Sequence, residues 1–480
     1  MESENRKHLL LIYGLIVGVV FDIFFHDRTL GISYPMFISF LLIITALAFL
    51  REYGRLKNRA WMWSVPILIL SLTFSLYSNQ VLKIINFLII PYLLILMVSL
   101  VSDTNRAEWS DVRFIADFLK RVFVPFRYIH MPFITFFRLQ DKTGDRNKRI
   151  LPRIAVGVLI SIPVLALIIW LLSSADIVFK NLFIDIPVSK IIKHFFLILA
   201  VTVYSICFFW SLLKAFYETK SPVYEKIYWK RFLDPVVIMT VISLLNIVFF
   251  VFSIIQFRYL FGGQSFLLPS EYTFAEYARR GFFELVAVSV INFLIILLAV
   301  TFIKRDNKKL LIAGRALLSV LVCFTFIMLA SAFYRMLLYE QAYGFTYLRI
   351  FVQAFMVLLS FLFVINMIFI WYEKLPIIKA YFITSLAVYI ALNFANVDVI
   401  IAGNNISRYQ RTGQIDMEYL KGLSYDAVPE MAGLLEDSDL RKEVLDYFNT
   451  VESELENQGH WQSINLSRSK ASRTVSRILR

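Results

Sequence analysis

The residues of this chain that could do chemistry are ionisable side chains at the ends of long apolar runs. Asp22, His26 and Asp27 close the first run, and Asp176 closes the fifth. Glu276, Arg279, Arg280 and Glu284 open the eighth, and Arg280 stands four residues from each glutamate, which puts both pairs on one helix face. Arg335, Glu340 and Arg349 bracket the connection between the ninth and tenth runs, and Asp398 and Arg408 flank the end of the eleventh. An ionised group at the centre of a bilayer costs roughly 3 kcal/mol or more, so these groups need a reason to be there. Interfacial anchoring is the simpler one, because charged groups at span ends snorkel to the headgroups. The alternative is an outer polar vestibule between the fifth and the eighth to eleventh runs, holding a ligand or the C-terminal tail. Opposite charges inside it would need each other as partners. Deeper in the runs lie Asn246, Asn292 and Asn393, which suit interhelical hydrogen bonds better than substrate contacts.

Catalytic signatures are missing. The chain has no HExxH, no GxxxxGK[ST] and no GxSxG. Asp22 and Asp27 are similar in placement to the acidic pair of membrane glycosyltransferases acting on lipid-linked sugars. Those enzymes need a large first outer loop, whereas only a short segment after Phe25 precedes the second run here. The histidines, His8, His26, His130, His194 and His460, are scattered and no two share a helix face, so no metal site and no cofactor is expected. Cys207 and Cys323 lie inside apolar runs, which excludes a disulfide framework and suggests a small buried residue at each place.

The elements that must position these residues are apolar helices. Hydrophobic residues make up 59% of the chain and charged residues 18%, with a mean hydropathy of +0.68. A soluble core of this length could not hide so much apolar surface. Eleven stretches, at about 9–25, 34–50, 61–77, 84–101, 154–172, 191–213, 236–257, 282–303, 316–334, 350–371 and 380–401, are long enough to cross a bilayer. The first run follows Arg6 and Lys7 as a signal peptide would, but it ends without a small-residue cleavage site and reads as an uncleaved span. Gly14 and Gly18 give it one GxxxG. Alternate gaps hold 29 Lys and Arg residues against 10 in the others. The positive-inside rule therefore places the N-terminus in the cytoplasm and the C-terminus outside. The net charge of +14 sits beside the spans, which points to anionic headgroups rather than nucleic acid.

Four segments follow. Residues 1–101 carry the first four spans, and 102–153 form a cytoplasmic connection. Residues 154–402 make a seven-helix bundle, and 403–480 an extracytoplasmic helical tail. In the connection, Trp109, Val112, Ala116, Leu119, Phe123 and Phe126 recur at helical spacing, as an interfacial amphipathic helix broken at Pro125 and Pro132 would. The bland reading is a topology-fixing linker, the sharper one a docking platform. In the tail, Leu440, Val444, Phe448, Val451 and Leu455 mark a helix capped by Asp437-Ser438-Asp439, with a shorter helical piece over Met417 to Leu423. The basic, serine-containing end after Glu456 suits either anionic headgroups or a solvated coil.

Several stretches resemble a bacterial family of uncharacterised multi-spanning membrane proteins, the domains of unknown function of the 4153/4173 type. They are Ser173-Ser174-Ala175-Asp176 with Val178-Phe179; Tyr277 through Leu285; Arg335-Met336 with Leu338-Tyr339 and Ala342-Tyr343-Gly344; Asp416 and Tyr419-Leu420; Asp426-Ala427-Val428-Pro429; and Trp461 with Asn465-Leu466-Ser467-Arg468. The resemblance implies a polytopic protein that keeps its C-terminal segment as part of the unit, and it brings no activity.

The expectation is thus an all-α polytopic transmembrane helical bundle with a small helical C-terminal extramembrane segment, in a bacterial plasma (inner) membrane. Its partners are a bilayer with anionic headgroups and an envelope protein, with no nucleic acid. The expected role is a non-catalytic sensor, assembly factor or regulatory partner. A transporter or lipid flippase is the alternative, and an envelope enzyme using Asp22, Asp27 or the Glu284 cluster is the third reading.

Overall fold

A computed structural model of the protein describes residues 2–53, 59–101, 119–132, 188–218, 231–261, 282–305, 307–456 and 460–480, with positions 161, 165, 168 and 172. Among these residues the chain is helical and forms no strand, and Leu233 and Ile303 make an isolated β-bridge. The segments 59–76, 80–101, 193–211, 235–256, 282–302, 308–343, 347–371 and 377–394 are long and apolar enough to cross a membrane, and Leu9–Phe25 and Ser33–Leu47 are apolar but shorter. The protein is an all-α transmembrane bundle, and helices satisfy the backbone internally in hydrocarbon. Most of the expected span 154–172 and of the connection 102–153 lie outside the described residues. Where the connection is described, helix gives way at Pro125 to a 3-10 turn, Val124–Tyr128. Leu119, Phe123 and Phe126 are exposed there.

By contact the described chain divides into two units, one drawn from residues 1–76, 84–224 and 457–466, the other from 77–83, 225–456 and 467–480. The first holds α1 (Glu2–Phe25), α2 (Ser33–Tyr53), α3 (Ser64–Leu76), most of α4 (Gln80–Val101) and α5 (Val188–Glu218). Gly14 and Gly18 bring α1 onto α5 in antiparallel register. A Cβ on Gly14 would stand 2.3 Å from Ile206 Cγ1, and one on Gly18 would stand 2.2 Å from Thr202 Oγ1 and 2.7 Å from the Ile198 carbonyl oxygen. Only hydrogen at these positions lets the two backbones approach so closely. An aromatic cluster of Phe21, Phe24, Phe25 and Phe37 fills the α1–α2 contact, and Trp461 packs edge-on against Phe24. Gly31 lets the α1–α2 connection pass under the C-terminal chain, where the Ile32 N–H donates to the Ile464 carbonyl (2.9 Å) and the Asn465 amide to the Phe74 carbonyl (2.8 Å).

The second unit holds α6 (Pro235–Phe261), α7 (Phe282–Phe302), α8 (Lys308–Tyr343), α9 (Tyr347–Trp371) and α10 (Ile377–Phe394). Asp234 caps α6 by accepting from the Val236 N–H (2.8 Å), with Pro235 at the first helical position. Asn307 caps α8 by accepting from the Lys309 N–H (2.9 Å). Ile242, Ile296, Leu321, Val322, Ala332 and Phe363 form the apolar centre. Polar side chains bridge it: Asn246 Nδ2 donates to the Leu317 carbonyl (3.0 Å) and Asn292 Nδ2 to Thr325 Oγ1 (3.0 Å). Asn393 Nδ2 donates to the Tyr389 carbonyl one turn back in its own helix (2.9 Å). Cys207, in the first unit, is buried, but Cys323 is exposed on α8, contrary to the expectation of two buried thiols. Its neighbours Leu321 and Val322 carry the inward face of that turn.

The run at 380–401 is not one helix. α10 ends at Phe394, Asn396 adopts the left-handed conformation (φ 49°), and α11 (Val397–Thr412) starts anew. Asparagine tolerates that conformation where β-branched residues do not, so the chain turns at Asn396 although Val397, Val399, Ile400 and Ile401 continue the apolar character. Beyond it come α12 (Met417–Lys421), α13 (Val428–Met431), α14 (Arg441–Glu456) and α15 (Leu466–Leu479). Ile401, Ala402, Leu420, Val428, Met431, Val444, Phe448, Ala471 and Val475 share one core with Leu82 and Ile350. The basic end is therefore a helix with a buried face, not a solvated coil. A Lys421–Glu443 ion pair (2.5 Å) ties α12 to α14.

Candidate functional site

Asp398 lies in the first turn of α11, fully buried, where the helix N-terminus favours a negative charge. Donors reach both of its oxygens. Oδ1 accepts from the Tyr347 hydroxyl and from the Ser424 N–H (3.0 Å), and Oδ2 accepts from Asn79 Nδ2 (2.6 Å). One carboxylate thus joins the start of α4, the first residue of α9, α11, and the 3-10 turn Tyr425–Ala427. A second carboxylate, Asp426, accepts from the Ser78 N–H (2.6 Å) and the Ser424 hydroxyl (3.0 Å). Ser424 serves both acids, with its N–H on Asp398 and its hydroxyl on Asp426. Burial pushes the Asp426 carboxyl above the usual carboxylate range, against the opposing pull of the Ser78 N–H. The Tyr347 N–H donates to the Tyr419 hydroxyl (2.9 Å), closing the network toward α12.

α11 also grips the turn between α8 and α9. Gly344 ends α8 at φ +85°, a conformation that suits glycine, and a Cβ there would stand 2.6 Å from Asn405 Oδ1. Asn405 clamps the next residue from both sides, accepting from the Phe345 N–H (2.7 Å) and donating to the Phe345 carbonyl (2.9 Å). Arg408 donates to the Ala342 carbonyl (2.8 Å) and to the Gln414 carbonyl and side chain (3.3 Å each). Within the same turn, Arg349 donates to the Gly344 carbonyl and places its guanidinium 4.2 Å from the Tyr339 ring centroid. Glu340 is fully buried and accepts from Gln353 Nε2 (2.6 Å).

Of the sequence-predicted residues, the structure gathers Glu340, Arg349, Asp398 and Arg408 around the α8–α9 turn and α11. Arg335 lies further down α8, buried, donating to Gln256 Oε1 (3.1 Å), which also accepts from the Ser331 hydroxyl (2.5 Å). Glu284 is exposed in the first turn of α7. Asp176, Glu276, Arg279 and Arg280 lie outside the described residues. The hydrogen bonds described here pair charged groups with neutral amides, hydroxyls and carbonyls, and Glu340 keeps one buried oxygen, Oε1, without a hydrogen bond. Asn79, Tyr347, Asn405, Ser424 and Asp426 are the residues that spacing did not single out. All act through contacts far apart in the chain, and a lone serine, asparagine or tyrosine carries no periodic signal.

Two cavities adjoin this region. One, of about 260 Å³, is lined by Phe282, Phe283, Met336, Tyr339, Thr346, Leu348, Arg349 and Val352. The other, of about 380 Å³, is lined by Tyr347, Asp416, Glu418, Tyr419, Gly422 and Leu423. Neither is lined by Asp398, Asp426 or Asn292. Tyr347, whose hydroxyl donates to Asp398, lines the second of them, and the donors gathered on Asp398 hold several elements together.

A family model described as "Domain of unknown function (DUF4153)" matches residues 64–434. No curated protein and no solved structure matches the chain.

Proposed function

We propose, for a chain that belongs to the DUF4153 family, a non-catalytic role in the bacterial plasma membrane as a sensor, assembly factor or regulatory partner of an envelope protein. The observation that carries this reading is Asp398. Its donors come from the residue ahead of α4, from the first residue of α9 and from the C-terminal segment, so a force on the tail reaches the starts of two membrane helices through one buried group. The tail shares a core with these helices and belongs to the working unit.

The proposed sidedness is N-terminus in and C-terminus out. Three cation-rich connections support it by meeting at one end of the second unit. Glu373, between α9 and α10, pairs with Arg305 and Arg315, and the Lys304 N–H donates to the Leu233 carbonyl ahead of α6 (2.9 Å). The tail instead meets Tyr77–Lys83 and the α8–α9 turn, both cation-poor. Lys304, Arg305 and Arg315 then face the cytoplasmic leaflet and its anionic lipids.

A photo-crosslinker at Asn449, exposed on α14, tests the reading in intact membranes. The expected result is a discrete adduct with an envelope protein that weakens in Asp398→Ala, with no solute or lipid movement by the purified protein in proteoliposomes. Identical adducts in both proteins would overturn the coupling. A second reading, a lipid flippase or transporter, draws on the apolar cavity beside Arg349, which suits an amphiphile with an anionic head. Flux abolished by Arg349→Ala would select it.

A further inference from the structure

We propose that Asp22, His26 and His194 form a binding site for a divalent transition-metal ion, zinc foremost. Spacing along the chain argued against any metal site, because the two histidines are far apart in sequence. The fold removes that objection. The antiparallel register that sets Gly14 on Ile206 and Gly18 on Thr202 carries on for two more turns and delivers His194 of α5 to the end of α1. There the imidazoles of His26 and His194 meet at a 34° tilt, ring centroids 3.8 Å apart. Asp22 reaches His194 Nδ1 with both oxygens (2.7 and 2.8 Å) and lies 3.5 Å from His26 Nδ1. One ligand atom from each of the three residues falls within 4.8 Å of the others.

The surroundings fit a metal better than a bare ion pair. Both imidazoles can serve as neutral ligands of one cation, with the carboxylate as the third. His26 Nε2 is buried and makes no hydrogen bond, and Asp27 Oδ2 lies 3.4 Å from it. A carboxylate on the far nitrogen of a ligating histidine is the usual outer partner that orients the ring. Asp27 holds that place in a left-handed backbone conformation (φ 51°), which non-glycine residues adopt at a cost. Two histidines and one carboxylate leave a coordination position open for water or an oxygen ligand. Imidazole-rich sites prefer zinc, cobalt and nickel over the hard cations magnesium and calcium. The proposal is independent of the role assigned to Asp398.

The test uses the full chain, purified in detergent without a histidine tag and stripped with a chelator. Cobalt(II) is titrated while its visible ligand-field absorption is followed, and zinc is then added in competition. The expected result is one cobalt per chain, displaced by zinc and not by magnesium or calcium. Asp22→Asn, His26→Ala and His194→Ala should each weaken binding by at least about tenfold, and Asp27→Asn by about tenfold or less. His460→Ala, at an exposed histidine, should leave it unchanged. Helical circular dichroism and elution volume of the metal-free variants show that they are folded, and His194→Gln replaces any that is not. Less than half a cobalt per chain, equal affinity in wild type and the His194 variants, or displacement by magnesium would each overturn the site.

Discussion

Replacing Asp398 by alanine strands the Asn79 amide, the Tyr347 hydroxyl and the Ser424 N–H in a dry site. Each buried donor left unmet costs about 1–3 kcal/mol, and unfolding in detergent should show a loss of at least that size. Asp398→Asn keeps one acceptor and should lose less. Asn405→Ala frees both sides of the Phe345 peptide, and each unmet group costs about 1–3 kcal/mol. Asp426 gives a pH signature. Its folded value lies above the ordinary 3.8, so the folded state holds that proton more tightly than the unfolded chain. Ionising it therefore removes stability as pH rises from 3.8 through the folded value, and below 3.8 the loss is absent. Wild type should lose stability relative to Asp426→Asn across that window in parallel melts, and an equal pH dependence would refute the assignment. These residues were hard to read in the sequence. Asp398 and Glu340 stood out as charges in apolar surroundings, but their neutral partners, Tyr347 and Gln353, look like any other side chains until the helices meet.

At the scale of elements, the α1–α5 contact depends on two missing side chains. Gly18→Ala would press its methyl on the Ile198 carbonyl, a backbone atom that cannot rotate away, whereas Gly14→Ala meets chiefly the movable Ile206 side chain. Overpacking costs about 1–3 kcal/mol, and Gly18→Ala should sit at the upper end and Gly14→Ala below it in the same melts. The same pair of variants should loosen the proposed metal site in that order, since the glycines set its register. In the tail, Phe448 is fully buried between α14 and its neighbours, and Phe448→Ala should cost about 3–5 kcal/mol. The α14 face was legible because Val444, Phe448 and Val451 repeat at helical spacing. The α15 face was not: Ala471, Val475 and Ile478 keep the same spacing, but serine and arginine outnumber them, and composition masked the period.

At the scale of the molecule, apolar runs were enough for the class and for most helices. They did not show the break at Asn396, since hydropathy averages over the very residue whose backbone turns. That break matters, because it sets α11 where Asp398, Asn405 and Arg408 can reach two other parts of the chain. Asp398 ties the C-terminal segment to the starts of α4 and α9. Hydrogen exchange on the full chain in nanodiscs, wild type against Asp398→Ala, tests it most directly. Amides of α11, of 424–436 and of the Phe345–Tyr347 turn should lose protection together in the variant while α6 and α7 keep theirs. Loss confined to the turn around residue 398, with 424–436 as protected as before, would contradict it.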